Sequence, residues 1–511
     1  MKESFGRRVA VAAALLVGFY VFAGLVAAGM FGVVIAMFAT DLPQNVWVAA
    51  ACVFSGLAIV RGLIPSRRRF EEPGPRLARD QQPDLHAVVQ EVADATGQEP
   101  PADVYLTPEV NAAVLDTGGL FGAGGRRVMI IGLPLLDVLT VGQLRAVLAH
   151  EFGHYYGGDT RLGPWFFRAY DAIARTVTNL EQRESIWQKP FEWYGMFFLR
   201  RSAAIKREQE FKADELAAGA AGRSAAIECL NAVHSAGPAF DGYWESEVAP
   251  VLGSGARAPL LGGFRAFRSS ENVKRVIEDG LRADLEQPET DPYDTHPSLR
   301  ERVGALERLP DDGREPNPGD ERPAIALLRD PDRAEQDLLV ALFGADGATL
   351  EPVAWDDVPA KVIVPGWRES FAHFGGALAG ITVGGIAEVA TQLERLGREL
   401  PLPPGIPPDA GPFPSELYED VAASALDVGL GLALHDAGWS ITAAPGDPIE
   451  LHHGEHHVKP IGTARAVADG ELRPDDWRAT CERAGIASLP LGGQAAAKPP
   501  GPSAAPAASG T

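Results

Sequence analysis

His150-Glu151-Phe152-Gly153-His154 sets two imidazoles and a carboxylate in a His-Glu-x-x-His segment. On a helix, a four-residue step turns about 400° and rises about 6 Å, so His150 and His154 leave the same face. Two neutral imidazoles presented that way can grip one zinc ion. Glu151 points toward the same side and can take a proton from a water held there. The competing interpretation is a helix with two incidental histidines, because three fixed positions also recur by chance.

The flanks call for a helix. Thr140-Val141-Gly142-Gln143 is a Thr-x-x-Gln capping box. Leu144, Val147, Leu148 and Phe152 recur at helical spacing and predict a buried face. Gly157-Gly158-Asp159 is expected to stop the helix. Gly153 inside it costs about 1 kcal/mol relative to Ala, a cost that a close backbone or metal approach would explain.

A catalytic zinc needs a third protein ligand and an open position for water. Glu210 and Asp214 lie in a polar, Ala-rich stretch and are again four apart, so they share a helix face. Glu210 is the candidate third ligand. Asp214 is the candidate carboxylate that orients a zinc histidine through its other ring nitrogen. Taken alone, such a pair is ordinarily a solvated helix face.

His-Glu-x-x-His followed by Glu210-Phe211-Lys212-Ala213-Asp214 resembles the membrane metallopeptidases of the HtpX and CAAX-prenyl-protease type, which are gluzincins. Asp294-Thr295-His296-Pro297-Ser298-Leu299-Arg300-Glu301-Arg302 is similar to that family's Thr-His-Pro-Ser segment with a following Arg. Val110-Asn111-Ala112-Ala113, ahead of Val128-Met129-Ile130-Ile131-Gly132, resembles its Asn-Ala strand and the apolar strand before the zinc helix. The resemblance covers residues 85–309 with all four motifs in the family's order. It implies Zn2+ on His150, His154 and Glu210. It implies Glu151 as general base and later proton donor to the leaving amine. His296 would help stabilise the oxyanion. Asn111 would lie on an edge strand that receives the peptide substrate as an added strand. Arg300 or Arg302 would support the site, and the offset from His296-Pro297 favours neither. One departure is visible: some relatives have clear transmembrane spans between the zinc motif and the third ligand, and this chain does not.

Residues 9–39 are almost continuously apolar, and 46–63 form a second apolar run broken only by Ser55 and Arg61. Asp41 to Asn45 form a short turn between them. The pattern predicts a transmembrane hairpin. A cleaved signal peptide is the competitor for the first run, but the run is too long and a second follows. Lys2, Arg7 and Arg8 flank one end; Arg61, Arg67, Arg68 and Arg69 flank the other, while the turn carries only Asp41. The positive-inside rule therefore expects a multi-pass cell-membrane protein with its catalytic domain in the cytoplasm.

Composition agrees. The three cysteines, Cys52, Cys229 and Cys481, form no framework and are too few for a cysteine-bound zinc site. A formal net charge of -22 argues against nucleic acid as a partner. The expected fold class is α+β. A transmembrane helical hairpin (1–64) and a juxtamembrane linker (65–84) precede a mainly helical zincin-like metallopeptidase domain with a small sheet (85–309). A linker (310–323), a separate C-terminal α/β-type domain (324–491) and a disordered tail (492–511) follow.

Within the catalytic region, 118–125 is expected to be a hairpin connection rather than a phosphate loop, because no Gly-Lys-Ser/Thr ending follows. Trp165-Phe166-Phe167 and the aromatic stretch 191–199 suggest a hydrophobic wall of the catalytic core, with a bilayer-resting face as the alternative. Farther on, 362–367 suggests a strand and turn, and 374–387 a packed helix. The C-terminal domain carries no catalytic motif; its placement suggests a regulatory or substrate-presenting role. His452-His453-Gly454-Glu455-His456-His457 is expected to be an exposed hairpin rather than a physiological metal site.

The expected function is a membrane-anchored zinc endopeptidase in protein processing or membrane quality control, acting on unfolded or membrane-proximal polypeptide. Prenylated-protein processing is a narrower substrate alternative. A catalytically inactive membrane-anchored scaffold of the same fold is the alternative from another class.

Overall fold

The computed structural model describes residues 5–493 apart from 41–44, 65–69, 118–125, 155–162, 183–186, 288–289, 292, 311–316, 375 and 403–412. The expectations for Lys2, Asp41, Arg67 to Arg69, the loop 118–125, Gly157 to Asp159 and most of the tail lie outside the described residues. So do the side chains of Arg7, Arg8, Trp165, Phe166 and Phe167. The chain divides into two compact units, residues 1–240 with 277–347, and residues 241–276 with 348–511.

The first unit begins with α1 (Phe5–Ala39) and α2 (Val46–Leu63). Ala13–Ala39 and Val46–Leu63 are long and apolar enough to cross a bilayer, with mean hydropathies of 2.4 and 1.9. Asn45 starts α2 by accepting hydrogen bonds from the Trp47 and Val48 amides. Leu25, Ile35, Phe38 and Trp47 stay exposed on the outside of the hairpin.

Next come α3 (Pro83–Thr96), closed by Gly97 in the left-handed region, and three strands, β1 (Asp103–Thr107), β2 (Ala112–Asp116) and β3 (Arg127–Gly132). The sheet order is β1-β3-β2, with β1 parallel and β2 antiparallel to β3. β2 is thus an edge strand. Then follow, in chain order, α4 (Leu133–Val138), α5 (Val141–Gly153), α6 (Gly163–Glu181), α7 (Gln188–Ala221) and α8 (Arg223–Tyr243); α9 (Ala249–Gly253) and α10 (Leu260–Ser269), which fall in the second unit; and α11 (Glu271–Glu286), α12 (Leu299–Glu307) and α13 (Pro331–Thr349).

The aromatic stretch at the start of α7 does not wall the catalytic centre. Phe191 and Phe198 are buried in one apolar cluster with Phe19 and Ala23 of α1, Ile59 of α2 and Ile173 of α6. Trp193, on the other face of α7, is 72% exposed.

The second unit is mainly helical, with a short parallel pair and one antiparallel sheet. β4 (Ala256–Arg257) pairs with β5 (Glu351–Pro352); β6 (Ser440–Thr442), β7 (Glu450–His453) and β8 (His456–Val458) form the sheet. Its core surrounds the helix Ser415–Asp436, where Leu426, Leu430 and Leu434 pack with Trp439, Leu451 and Trp477. Buried Asp427 on that helix accepts hydrogen bonds from the Gly462 and Ala464 amides at 2.6 and 2.9 Å. Two local expectations fail here. Residues 362–367 form no strand: Pro359–Ile363 and Val364–Phe374 are consecutive helical segments. Among the described residues, 376–385 form turns and no helix, and helix resumes at Ile386–Val389, because five glycines interrupt the apolar run 374–387.

Candidate active site

Helix α5 starts as its sequence demands. The Gln143 amide donates to Thr140 Oγ1, and the Thr140 amide donates to Gln143 Oε1. Leu144, Leu148 and Phe152 are buried, which turns His150, Glu151 and His154 toward α7 and the sheet. Gly153 is explained by close packing: a Cβ there would lie 2.8 Å from Ala213 Cα on α7. Ala213 stands between Glu210 and Asp214, so the glycine sets how near α7 brings both carboxylates.

The resulting geometry joins the two halves of the sequence pattern. Glu210 Oε2 lies 3.4 Å from His150 Nε2, and Glu210 Oε1 lies 3.5 Å from His154 Nε2. One ligand atom from each of the three residues falls within 4.8 Å of the others. A tetrahedral ion with bonds of about 2.0–2.1 Å holds its ligand atoms about 3.3–3.4 Å apart, close to these separations. Glu210 Oε2 is buried and makes no hydrogen bond. An acceptor left that way normally costs about 1–3 kcal/mol, and a cation between it and the imidazoles would remove the cost. The donor set thus suits a divalent metal ion.

Behind these residues lies a chain of buried charge. Asp214 Oδ1 is 3.0 Å from His150 Nδ1. Arg302 grips Asp214 with two hydrogen bonds, Nε to Oδ2 at 2.9 Å and Nη2 to Oδ1 at 2.6 Å. Arg302 therefore backs the centre, whereas Arg300 is exposed and donates to the Glu286 carbonyl at 3.2 Å. What separates them is the phase of α12. Ser298 caps that helix in a box with Glu301, which turns Arg302 inward. The Ser-x-x-Glu signal that sets this phase is present in the sequence at Ser298 and Glu301. His296 sits just before the cap, largely exposed, with Nδ1 3.4 Å from Glu210 Oε2.

The third side is the edge strand. The exposed Asn111 immediately precedes β2, and its carbonyl accepts a hydrogen bond from the Gly132 amide. Val114, in β2, donates its amide to Glu151. Sequence reasoning missed this contact, since only the folded sheet brings strand and helix together.

Electrostatics divide the roles. Burial pushes the Glu151 carboxyl up to about 7, and the Glu210 charge adds to the shift against His150 and Arg302. Burial lowers His154 to about 4, aided by the charge on His150. For His150, burial is outweighed by the Asp214 and Glu210 carboxylates beside its two ring nitrogens, which raise it to about 9. Burial alone would raise Glu210, but the His150 and His296 imidazoles 3.4 Å from its Oε2 hold it far below the usual carboxylate range. Cys229 lies nearby on α8, but burial pushes its thiol up to about 12, which keeps it protonated and out of the donor set.

The histidine-rich segment forms the hairpin expected, with His452 opposite His457 and His453 opposite His456. Among the described residues, only His150, His154 and Glu210 converge as a group of three.

The profile of peptidase family M48 matches residues 79–309. A protein named Protease HtpX homolog, from Methylacidiphilum infernorum (isolate V4), is 27% identical over 243 residues, covering 42% of this chain and 67% of the relative. No solved structure gives a significant match.

Proposed function

From a chain that belongs to peptidase family M48 and is a metallopeptidase of the HtpX type, we infer a membrane-anchored endopeptidase that uses zinc at His150, His154 and Glu210. The single observation that carries this is the convergence of those three side chains, one ligand atom of each lying within 4.8 Å of the others. Bound there, zinc would act as a Lewis acid that acidifies a water and polarises a peptide carbonyl.

The chain's own residues supply the rest. Asp214 accepts a hydrogen bond from His150 Nδ1–H, which leaves the Nε2 lone pair facing Glu210. Arg302 fixes Asp214 in turn. Glu151, with its carboxyl near 7, takes a proton from the attacking water and returns it to the leaving amine. The Val114 amide holds the Glu151 carboxylate against the sheet. His296, exposed at the rim, donates to the oxyanion that forms on the substrate carbonyl. The substrate lies along the free edge of β2 from Asn111 onward, bound through backbone pairing that accepts many sequences. The helices α1 and α2 anchor the enzyme in the membrane, with its catalytic domain on the cytoplasmic side by the arginine distribution.

Glu151→Gln tests the chemistry. The variant should retain metal and fold while turnover of an unfolded polypeptide disappears. Turnover equal to the parent would remove Glu151 from the mechanism. A parent that binds zinc but cleaves nothing would favour a scaffold.

A further inference from the structure

His296 sits on a loop that packing does little to hold. Among the described residues of 291–297, only Pro297 is buried; Asp291, Tyr293, Asp294 and His296 are exposed. Thr290 closes the base of the loop. Its hydroxyl accepts the Ser298 amide at 2.7 Å and donates to Glu301 in the cap of α12. The stretch that carries His296 is held by polar contacts instead.

Those contacts run through Asp294. Its carboxylate accepts the His296 amide, two positions on, at 3.2 Å, an Asx turn that sets the backbone leading into Pro297. Its carbonyl accepts Arg207 Nη1 of α7 at 2.6 Å. The same nitrogen reaches the Asp291 carbonyl at 3.4 Å, and that carbonyl also accepts the Asp294 amide at 2.9 Å. The Asp291 carboxylate accepts the Tyr293 amide at 2.8 Å. One guanidinium nitrogen thus ties both ends of the turn 291–294, and Asp294 passes the constraint on to His296.

Arg207 stands one turn before Glu210, and α7 is continuous through both. The third metal ligand and the anchor of the loop therefore belong to one rigid segment, and His296 Nδ1 comes to lie 3.4 Å from Glu210 Oε2. The arrangement parallels the one behind the metal site. There Arg302 holds Asp214, which orients His150 through its side chain. Here Arg207 holds Asp294, which orients His296 through its backbone.

We propose that Arg207 is a positioning residue that acts through Asp294 to hold His296 at the rim of the cleavage centre. The proposal rests on the oxyanion role given to His296 above. A donor to an oxyanion is effective when it is in place before the charge develops. A loop free to shift therefore loses transition-state binding and little ground-state binding.

The test uses the full-length zinc-loaded protein and an unfolded polypeptide substrate. His296→Ala sets the scale, a fall in kcat of about 10²-fold. Arg207→Ala and Asp294→Ala should each reproduce much of that fall, with KM, zinc content and melting unchanged. Arg207→Lys should recover kcat, because both bonds come from one nitrogen and not from the guanidinium fork. Asp294→Asn should recover it relative to Asp294→Ala, because the amide oxygen still accepts the His296 amide. Adding Arg207→Ala to His296→Ala should lower kcat no further. Hydrogen exchange gives a readout free of turnover: in Arg207→Ala the segment 293–298 should exchange faster while α5 is unchanged. Parent kcat in Arg207→Ala, an additive loss in the double variant, lost zinc or unchanged exchange would each overturn the proposal. So would Asp294→Asn as slow as Asp294→Ala, which would assign the effect to the carboxylate charge. If His296→Ala turns over like the parent, the oxyanion reading itself fails and takes the positioning role with it.

Discussion

Replacing Asp214 with Ala should weaken metal binding and folding through separable causes. Asp214 is the shared acceptor of Arg302 and His150, and its side chain and that of Arg302 are at most 10% exposed. Its loss leaves a guanidinium buried without its carboxylate, which costs about 3–5 kcal/mol of stability. It also frees His150 to rotate, and loss of such an orienting partner lowers metal affinity about 10–100-fold. Arg302 Nη1 already lies 3.9 Å from Glu210 Oε2, so the freed cation turns toward the third ligand and competes with the metal. The affinity loss should therefore fall near the upper bound, about 2.8 kcal/mol. Competition against a chromophoric chelator reads the affinity, and melting of the metal-free protein reads the stability. Adding Arg302→Met removes the stranded charge, so stability should recover while affinity stays low. Full affinity in Asp214→Ala would refute the orienting role. Full recovery of affinity in the double variant would assign the loss to Arg302 alone.

Gly153→Ala should fold yet lose metal affinity and turnover, because the added Cβ meets Ala213 Cα at 2.8 Å and pushes α7 away; a strain of about 1–3 kcal/mol is expected, and unchanged zinc affinity would contradict it. His150 is raised to about 9 in the metal-free site, so zinc binding at pH 7 should release about one proton from it, measured by calorimetry in buffers of different ionisation enthalpy. The folded pKa of His150 lies above its ordinary 6.5, and that of Glu151, near 7, lies above its ordinary 4.5. Stability from His150 is complete below about 6.5 and lost as pH rises through 9; that from Glu151 is lost between about 4.5 and 7. His154, lowered to about 4, gains stability as pH rises from about 4 to 6.5 and offsets the Glu151 loss there, so metal-free melting should change little up to about 6.5 and fall between about 6.5 and 9; a rise over that upper interval would refute the His150 assignment. Asp427→Ala should destabilise the second unit by about 2 kcal/mol, since two backbone amides lose their acceptor; an unchanged melt of that unit would contradict this.

The zinc helix was legible because its signals are local. Capping residues, a helical apolar stripe and two histidines four apart all fall within fifteen positions of one another. Glu210 and Asp214 were legible for the same reason, through their shared face. The choice between Arg300 and Arg302 was not, because it depends on where α12 begins, although Ser298 and Glu301 encode that start. The Val114 contact to Glu151 needs the sheet to be folded first. The aromatic residues of α7 were misplaced because burial alone does not say against what: their partners are on α1, more than 160 positions earlier. The segment 362–367 misled through its β-branched residues, whose preference for strands gave way to packing in the helical unit. The two units exchange chain at 241–276, which no shift in composition marks.

The central claim is one zinc held by His150, His154 and Glu210, and its most direct test is tightly bound zinc per chain. The protein should be untagged, with His452, His453, His456 and His457 replaced so that the hairpin cannot contribute. About one zinc in this parent and none in its His150→Ala copy is the result predicted. A well-folded parent without zinc, or a His150→Ala copy that keeps it, would contradict the account.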